Sequence, residues 1–318
     1  MSASPSSTNT NTGRWLLIVL ILLVMLVGGG IALALLLRTN AGGSASITAK
    51  PESSPVSESA PIIEAAPPSA AASDKARVSA VPPPRSARPL QVFNYGWFTV
   101  GYDNERKAGA WGRYELDGPI AHTASQPRRP AFRTEKNSDA KVVTKDYTNP
   151  GSLFERGHIV PSYAMWSRFG DDARVATFVM TNVFPQDENL NGRIWEDIED
   201  DIAGQVKSGV VSERGYADRL RHITVVSGPV YGTASRTLPT GIPIPEACFS
   251  VIYDYDEAAD MFRARAYLVP NQASLTGPTS RYASTIRDIE VATGLDFMPE
   301  GGAEAEALEV AVPVTVNW

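Results

Sequence analysis

The spacing of apolar residues divides the chain into regions of different character. Residues 15–37 form a run of 23 residues without a charge, long enough as a helix to cross a hydrocarbon layer of roughly 30 Å. From about residue 89 onward, apolar residues recur instead with the short periods of strands and helices. The pattern predicts a membrane-spanning helix near the N-terminus and a globular domain further along the chain.

The first apolar segment is best interpreted as an uncleaved anchor. Arg14 and Arg38 flank it, and Trp15 lies at its first position, where a helix end would reach the membrane interface at which tryptophan is enriched. A cleaved signal peptide is the alternative, but its apolar region is normally only about 7–15 residues long. The two flanking charges balance, so they do not indicate which way the helix crosses the membrane.

The segment between the anchor and the globular region has the composition of a disordered linker. Of the 48 residues from 41 to 88, 30 are Ala, Ser or Pro and none is aromatic. Such a segment buries too little apolar surface to offset the entropy lost on ordering. We therefore divide the chain into an N-terminal tail (1–14), a transmembrane anchor (15–37), an Ala/Ser/Pro-rich linker (38–88) and one globular domain (89–318).

Apolar periodicity within the globular region predicts an α+β fold. Apolar residues at helical spacing predict helices over 189–207 and 279–293. Strands with few interleaved helices favour α+β over a wound parallel sheet. The almost continuously apolar segment 222–230 is expected to be a central strand. Together with that segment, clusters of β-branched and aromatic residues predict strands at 94–102, 174–183, 248–255 and 262–269.

Composition and charge limit the chemistry of the domain. Cys248 is the single cysteine, which excludes an internal disulfide and any multi-cysteine metal site. The residues after 88 carry a net charge of −9, which excludes a uniformly basic nucleic-acid-binding surface. Locally, 128–168 holds 8 basic and 4 acidic residues, whereas 187–201 holds 7 acidic and one basic. These segments could face each other across a cleft for phosphodiesters, or simply attract one another.

The most specific residue spacing lies in 154–162 and 180–199. If 189–207 is one helix, Asn191 and Glu199 lie along one side of it, because each four-residue step turns by about 40°. An amide oxygen and a carboxylate so placed can hold Mg²⁺, partly through water. His158 could then take a proton from water. Taken singly, His158 could be structural, Asn191 a helix cap and Glu199 a solvated charge.

At these positions the chain resembles the DNA/RNA non-specific endonucleases of the ββα-metal class, which include bacterial sugar-non-specific nucleases and mitochondrial endonuclease G. The resemblance covers about 92–298. It implies a mixed or antiparallel central sheet with a ββα-metal finger at the active site. The first signature is Glu155-Arg156-Gly157-His158-Ile159-Val160-Pro161, and the second comprises Thr181-Asn182, Pro185-Gln186, Leu190-Asn191, Trp195 and Glu199.

The resemblance also implies a role for each matching residue. His158 is expected to be the general base, Asn191 the direct ligand of one Mg²⁺ or similar ion (Mn²⁺ or Ca²⁺), and Glu199 the residue that orients the water around that ion. DNA and RNA are the implied substrates, with 5′-phosphate products. Phosphate-positioning and supporting roles fall to Arg156, Arg133 and Asn182.

Two positions depart from the family pattern. Glu155 replaces the usual Asp, and Ala203 stands where the family often has an arginine one turn past Glu199. A transition-state cation is therefore either missing or supplied from elsewhere in the chain. The alternative function is a catalytically weak or inactive membrane-anchored module of the same fold that binds nucleic acid or another partner.

The expected location follows from the predicted anchor and the implied activity. A nuclease facing the chromosome would be hazardous to the cell, so we expect the domain on the extracytoplasmic side, either periplasmic or extracellular. The sequence leaves the oligomeric state open, a homodimer included.

Overall fold

A computed structural model describes residues 77–147, 153–233 and 236–311. The predicted tail, the predicted anchor and the linker before residue 77 lie outside this part of the chain. Within the described part, no helix is both long and apolar enough to cross a membrane.

A seven-stranded sheet forms the centre of the fold. Each pair of neighbouring strands is antiparallel, which confirms the α+β prediction. In space the strands follow the order β12 (Ala283–Ser284), β11 (Met261–Pro270), β10 (Ala247–Asp256), β9 (His222–Val230), β4 (Ala108–Asp117), β3 (Phe98–Asp103) and β2 (Gln91–Asn94). Strand β9 is fourth of the seven and is buried along its whole length, as predicted for a central strand.

Smaller elements surround this sheet. In the described part of the chain, two-stranded pairs join β1 (Arg85–Ser86) to β13 (Leu295–Asp296), β5 (Phe154–His158) to β6 (Val183–Asp187), and β7 (Gln205–Lys207) to β8 (Val210–Glu213). The α-helices of the described residues include α1 (Ser162–Phe169), α2 (Asp171–Ala176), α3 (Glu188–Asn191), α4 (Ile194–Ala203), α5 (Tyr216–Leu220), α6 (Ile286–Thr293) and α7 (Gly302–Glu309). Single 3₁₀ turns cover Thr144–Tyr147, Met180–Asn182 and Thr279–Tyr282.

Both faces of the sheet are covered, because successive side chains of a strand point to opposite faces. On one face, Val225 of β9 and Ile252 of β10 belong to the same buried cluster as the isoleucines of α4. On the other, Phe249 and Val251 of β10 pack with Ile289 of α6. The face that carries α4 is also the face beneath the two signatures.

Four predicted elements differ from those observed. A turn at Gly96, with φ of +90°, separates β2 from β3 within the predicted strand 94–102. The predicted strand 174–183 is instead the end of α2 followed by a 3₁₀ turn, since a short apolar run does not distinguish a strand from a buried helix. The predicted helix 279–293 reduces to α6. The predicted helix 189–207 is two helices, α3 and α4, followed by β7.

The break between α3 and α4 has a backbone cause. Arg193 adopts φ −144° and ψ −104°, which is outside the helical region. The apolar stripe nevertheless continues across it, because Leu190, Ile194 and Ile198 are all buried. The apolar periodicity therefore continues across a position at which the helix itself is interrupted.

Residues 77–88 pack on the domain, although their composition predicts a disordered linker. Val78 and Val81 are 0% and 3% exposed. Thr224 Oγ1 donates a hydrogen bond of 2.8 Å to the carbonyl of Val78, and Arg113 Nε donates one of 3.0 Å to that of Val81. Ordered contacts with the domain thus begin by Val78, upstream of the sequence-based boundary at residue 89.

Candidate active site

The two signatures meet as neighbouring strands followed by a helix. In the β5–β6 pair, Glu155 lies opposite Gln186 and His158 lies opposite Val183. Strand β6 leads directly into α3, whose first turn is capped by Asp187: its carboxylate accepts hydrogen bonds from the backbone N–H groups of Asn189 and Leu190. The chain therefore contains the ββα arrangement that the resemblance implies.

Two signature residues constrain each other at this pair. A Cβ atom at Gly157 would collide with the side chain of Gln186, which is itself completely buried. Only glycine leaves room for that side chain, so the glycine before His158 has a steric explanation.

Asn182 supports the segment that follows His158. Its backbone carbonyl accepts from Ile159 N at 2.9 Å. Its side-chain oxygen accepts from Val160 N at 3.0 Å, and Nδ2 donates to the carbonyls of Val160 and Thr177, both at 3.1 Å. Asn182 is completely buried and is not among the residues that line the cavity beside His158. It holds the exit of β5 in place.

A cavity of about 540 Å³ lies beside β5 and contains three of the predicted site residues, His158, Arg156 and Asn191. It also contains Arg129 and Arg174, which the sequence did not single out. The basic segment RRPAFR (128–133) was a signal for Arg129, whereas Arg174 reaches the cavity only through the packing of α2. The complete lining is Gln126, Pro127, Arg129, Tyr147, Phe154, Glu155, Arg156, His158, Ser162, Arg174, Phe178, Glu188 and Asn191.

The His158 ring is held between two aromatic side chains. Its centroid lies 5.2 Å from that of Phe132 and 4.9 Å from that of Phe178. Burial, and to a smaller extent the positive charges of Arg129 and Arg156, together lower the pKa of His158 to about 3. The imidazole is therefore neutral near pH 7. Its Nε2 atom is buried and has no hydrogen-bond partner among the described residues.

Asn191 and Glu155 form a pair on one side of this cavity. Asn191 Nδ2 donates a hydrogen bond of 2.9 Å to Glu155 Oε2. The amide oxygen of Asn191 accepts no hydrogen bond from the described residues, and Glu188 lines the same cavity. The amide oxygen of Asn191 and the carboxylates of Glu155 and Glu188 are oxygen ligands of the kind that a small hard cation prefers. These residues therefore fit a divalent metal ion.

Glu199 lies in a separate cavity of about 340 Å³, beside Glu196 and Asp200. Gln126 lines both cavities, which makes them neighbours. Burial raises the pKa of Glu199 to about 8, and the charges of Asp200 and Glu196 contribute. The structure thus brings Asn191 to His158 but leaves Glu199 in the adjoining space, because the helix that would align Asn191 with Glu199 is broken.

Arg133 and Ala203 both lie outside the cavity lining. The Arg133 guanidinium donates to the carbonyls of Val175 and Ala176 at 3.1 and 3.3 Å. The carbonyl of Ala203 accepts from Arg168 Nη2 at 3.0 Å. The arginines that line the cavity beside His158 are instead Arg129, Arg156 and Arg174.

Comparison with known proteins agrees with this geometry. Residues 85–303 match the family model of the DNA/RNA non-specific endonucleases. The chain belongs to this family. It is therefore an endonuclease, a hydrolase that acts on phosphodiester bonds. The fold is similar to that in a crystal structure of an EndoG/EndoGI complex, with a TM-score of 0.54 and 18% identity over 66% of this chain and 86% of that one.

Two relatives show how far the similarity extends in sequence. The endonuclease is 26% identical over 211 residues to a nuclease of Nostoc sp., which covers 63% of this chain and 70% of that protein. It is 25% identical over 228 residues to mitochondrial endonuclease G of Homo sapiens, which covers 67% and 71% of the two chains.

Proposed function

We propose that this endonuclease hydrolyses DNA and RNA without sequence preference, with His158 as general base and one divalent cation such as Mg²⁺, and releases 5′-phosphate ends. The observation that carries the proposal is the meeting of His158, Arg156 and Asn191 in one cavity. These residues come from two distant parts of the sequence and supply a base, a phosphate-binding group and a metal ligand.

His158 is suited to accept a proton from the attacking water. Its ring is neutral near pH 7, and the rings of Phe132 and Phe178 fix its orientation. Burial is the main cause of its low pKa in the free protein, and the charges of Arg129 and Arg156 contribute. A bound phosphate would offset those charges and raise the pKa of His158 towards the range in which a histidine is an effective base.

The cation would stabilise the charge that develops on the phosphate and on the leaving 3′ oxygen. Asn191 would bind it through Oδ1, and Glu155 would orient the Asn191 amide by accepting from Nδ2. Glu188 offers a further carboxylate in the same cavity. Glu199, in the adjoining cavity, would act on the water around the ion.

Recognition through backbone phosphates explains the expected lack of sequence preference, since phosphate contacts position a nucleic acid without reading its bases. The proposed reaction uses no 2′-hydroxyl, so both nucleic acids are substrates. Each phosphate contact releases counterions, so binding should weaken as salt increases. The net charge of −9 beyond residue 88 should keep the affinity modest.

The decisive experiment is a plasmid-nicking assay with the purified chain, with Mg²⁺ and with excess EDTA. We expect nicking that EDTA abolishes and that His158→Ala lowers by about 10²–10⁴-fold. Ends that are ligated without prior phosphorylation would identify 5′-phosphates. Nucleic-acid binding without cleavage at any divalent-ion concentration would instead support an inactive binding module.

We also infer an anchored, extracytoplasmic location. The uncharged run at 15–37 and its flanking Arg14 and Arg38 support the anchor. Extraction of the full chain with detergent but not with alkaline carbonate would agree with a spanning segment. Digestion of the domain by protease added to spheroplasts would agree with the proposed side.

A further inference from the structure

The loop 128–133 forms one wall of the cavity that holds His158. Phe132 contacts the His158 ring, and Arg129 lines the cavity. The Arg129 guanidinium lies 5.5 Å from the ring centroid of Phe132 and 5.6 Å from that of Phe178. From residue 121 to residue 132 the backbone has neither helix nor strand. The position of this wall therefore depends on contacts with the rest of the domain.

The first end of the loop is tied down by Arg174 of α2. Arg174 is 2% exposed. Its guanidinium is paired with Asp171 at 2.6 Å, and Nη2 also donates to the carbonyl of Arg128 at 3.4 Å. The same group lies 5.9 Å from the centroid of the Phe178 ring. The Arg174 side chain is buried, although Asp171 is half exposed, and a guanidinium that bonds two partners at once is held in a defined orientation.

The second end of the loop is tied to the same segment by Arg133. Its backbone N–H donates to Phe178 O, and its carbonyl accepts from Met180 N, both at 2.9 Å. Its guanidinium donates to the carbonyls of Val175 and Ala176, at the C-terminal end of α2, where carbonyls lack partners within the helix. Both ends of 128–133 are thus fastened to residues 171–180.

We propose that Arg174 and Arg133 form a clamp that holds Arg129 over His158, and that both are positioning residues for the reaction. Arg129 itself is exposed and forms no ion pair or hydrogen bond with another described residue. Its guanidinium is therefore available for a substrate phosphate, whereas those of Arg174 and Arg133 are engaged by the protein. The inference rests on the proposed function of the His158 cavity.

The clamp also accounts for a cation at the site although Ala203 stands where the family often has an arginine. A cation near the reacting phosphate need not come from α4, which follows His158 in the chain. The clamped loop, which precedes His158, presents Arg129 instead. The effect of the Arg129 guanidinium on the rate depends on its position, since a misplacement of about 1 Å can cost about 10²-fold in rate. Loss of a clamp residue should therefore resemble loss of Arg129.

A double-mutant cycle tests this dependence. We expect Arg129→Ala and Arg174→Ala each to lower kcat/KM for a duplex oligonucleotide by on the order of 10- to 10²-fold. The variant that carries both should lose little more than either alone, because Arg174 acts through Arg129. Arg174→Lys should recover only part of the loss, since an ammonium does not reproduce the fork that bonds Asp171 and Arg128 together. Losses that multiply would show an independent role for Arg174 and overturn the clamp.

Two further measurements do not depend on cleavage activity. Without substrate, trypsin should cut the Arg128–Arg129 bond faster in Arg174→Ala than in the wild type at equal thermal stability. The NMR pKa of His158 should rise in Arg174→Ala as it does in Arg129→Ala, because the charge of Arg129 moves away. Arg281→Ala, which removes an exposed arginine far along the sequence, is the charge-matched control and should match the wild type.

These measurements separate the clamp from the proposed function. Faster proteolysis in Arg174→Ala together with an inactive wild type would keep the clamp and reject the catalytic proposal. An active wild type with unchanged proteolysis and an unchanged His158 pKa in Arg174→Ala would reject the clamp alone.

Discussion

Asn191 Nδ2 donates a hydrogen bond of 2.9 Å to Glu155 Oε2, and this contact joins the second signature to the first. The bond fixes which way the amide faces. Because its nitrogen is engaged by Glu155, the oxygen is the atom left for the proposed cation. The longer side chain at 155, where the family usually has Asp, is therefore able to take a positioning role.

Replacement of Glu155 should change the metal requirement more than the fold. In Glu155→Ala, we expect the Mg²⁺ concentration for half-maximal nicking to rise by about 10–100-fold, as is typical when the partner of a metal ligand is lost. Asn191→Ala should give a similar shift, and the combined variant should add little. Glu304→Gln, an exposed carboxylate on α7, is the control. A metal titration that Glu155→Ala leaves unchanged would contradict this role.

The sequence predicted some of these relationships and not others, for physical reasons. Strand β9 was predictable because burial on both faces of the sheet requires a continuously apolar run. The meeting of His158 with Asn191 was predictable from the resemblance. The separation of Glu199 was not, because the apolar stripe stays in phase across the backbone break at Arg193. Arg174 was missed because its contact with the loop is made to a backbone atom distant in sequence, the carbonyl of Arg128.

The charge state of His158 should not change between pH 5 and pH 8. With a pKa of about 3 in the free protein, the ring should show no protonation in an NMR titration between pH 5 and pH 8. Arg156→Met removes one of the charges that lower this pKa, so its His158 should titrate at higher pH than the wild type. A wild-type midpoint near 6.5 would contradict the buried, arginine-flanked environment.

The same pKa has a consequence for stability. The folded-state pKa lies below the value of about 6.5 for an unfolded histidine, so below that pH the unfolded chain binds a proton that the folded chain excludes. This residue therefore lowers the free energy of unfolding progressively as pH falls from 6.5 towards 3. His158→Gln lacks the effect, so between pH 7 and pH 4.5 it should lose less stability than the wild type in urea titrations.

Glu199→Gln should be stabilising at high pH and harmful to activity. The folded-state pKa of Glu199, about 8, is above its ordinary value. The stability contributed by the protonated carboxyl is thus fully present below about pH 4.5 and is lost as pH rises through 8. Gln stays neutral, so the Tm of the variant should exceed that of the wild type at pH 9 and approach it at pH 5.

Calorimetry at these two pH values tests the stability effect, and nicking at pH 7.5 tests the activity. Glu304→Gln should change neither. Equal Tm values at pH 9 would mean that Glu199 ionises freely in the folded protein.

A chain that begins at residue 77 should be more stable than one that begins at residue 89, with equal activity per folded molecule. The shorter chain loses the buried side chains of Val78 and Val81, the hydrogen bonds to their carbonyls and the pairing of β1 with β13. Burying one valine contributes roughly 1.5–3 kcal/mol, which the entropy of ordering the segment partly offsets. We expect a net loss of about 2 kcal/mol in the free energy of unfolding, measured in urea.

Residues 77–88 do not line the His158 cavity, so the nicking rates of the two chains well below the Tm should agree. Val78→Ala in the longer chain should lower stability in the same direction, whereas equal stability of the two chains would mean that the segment is only loosely associated with the domain.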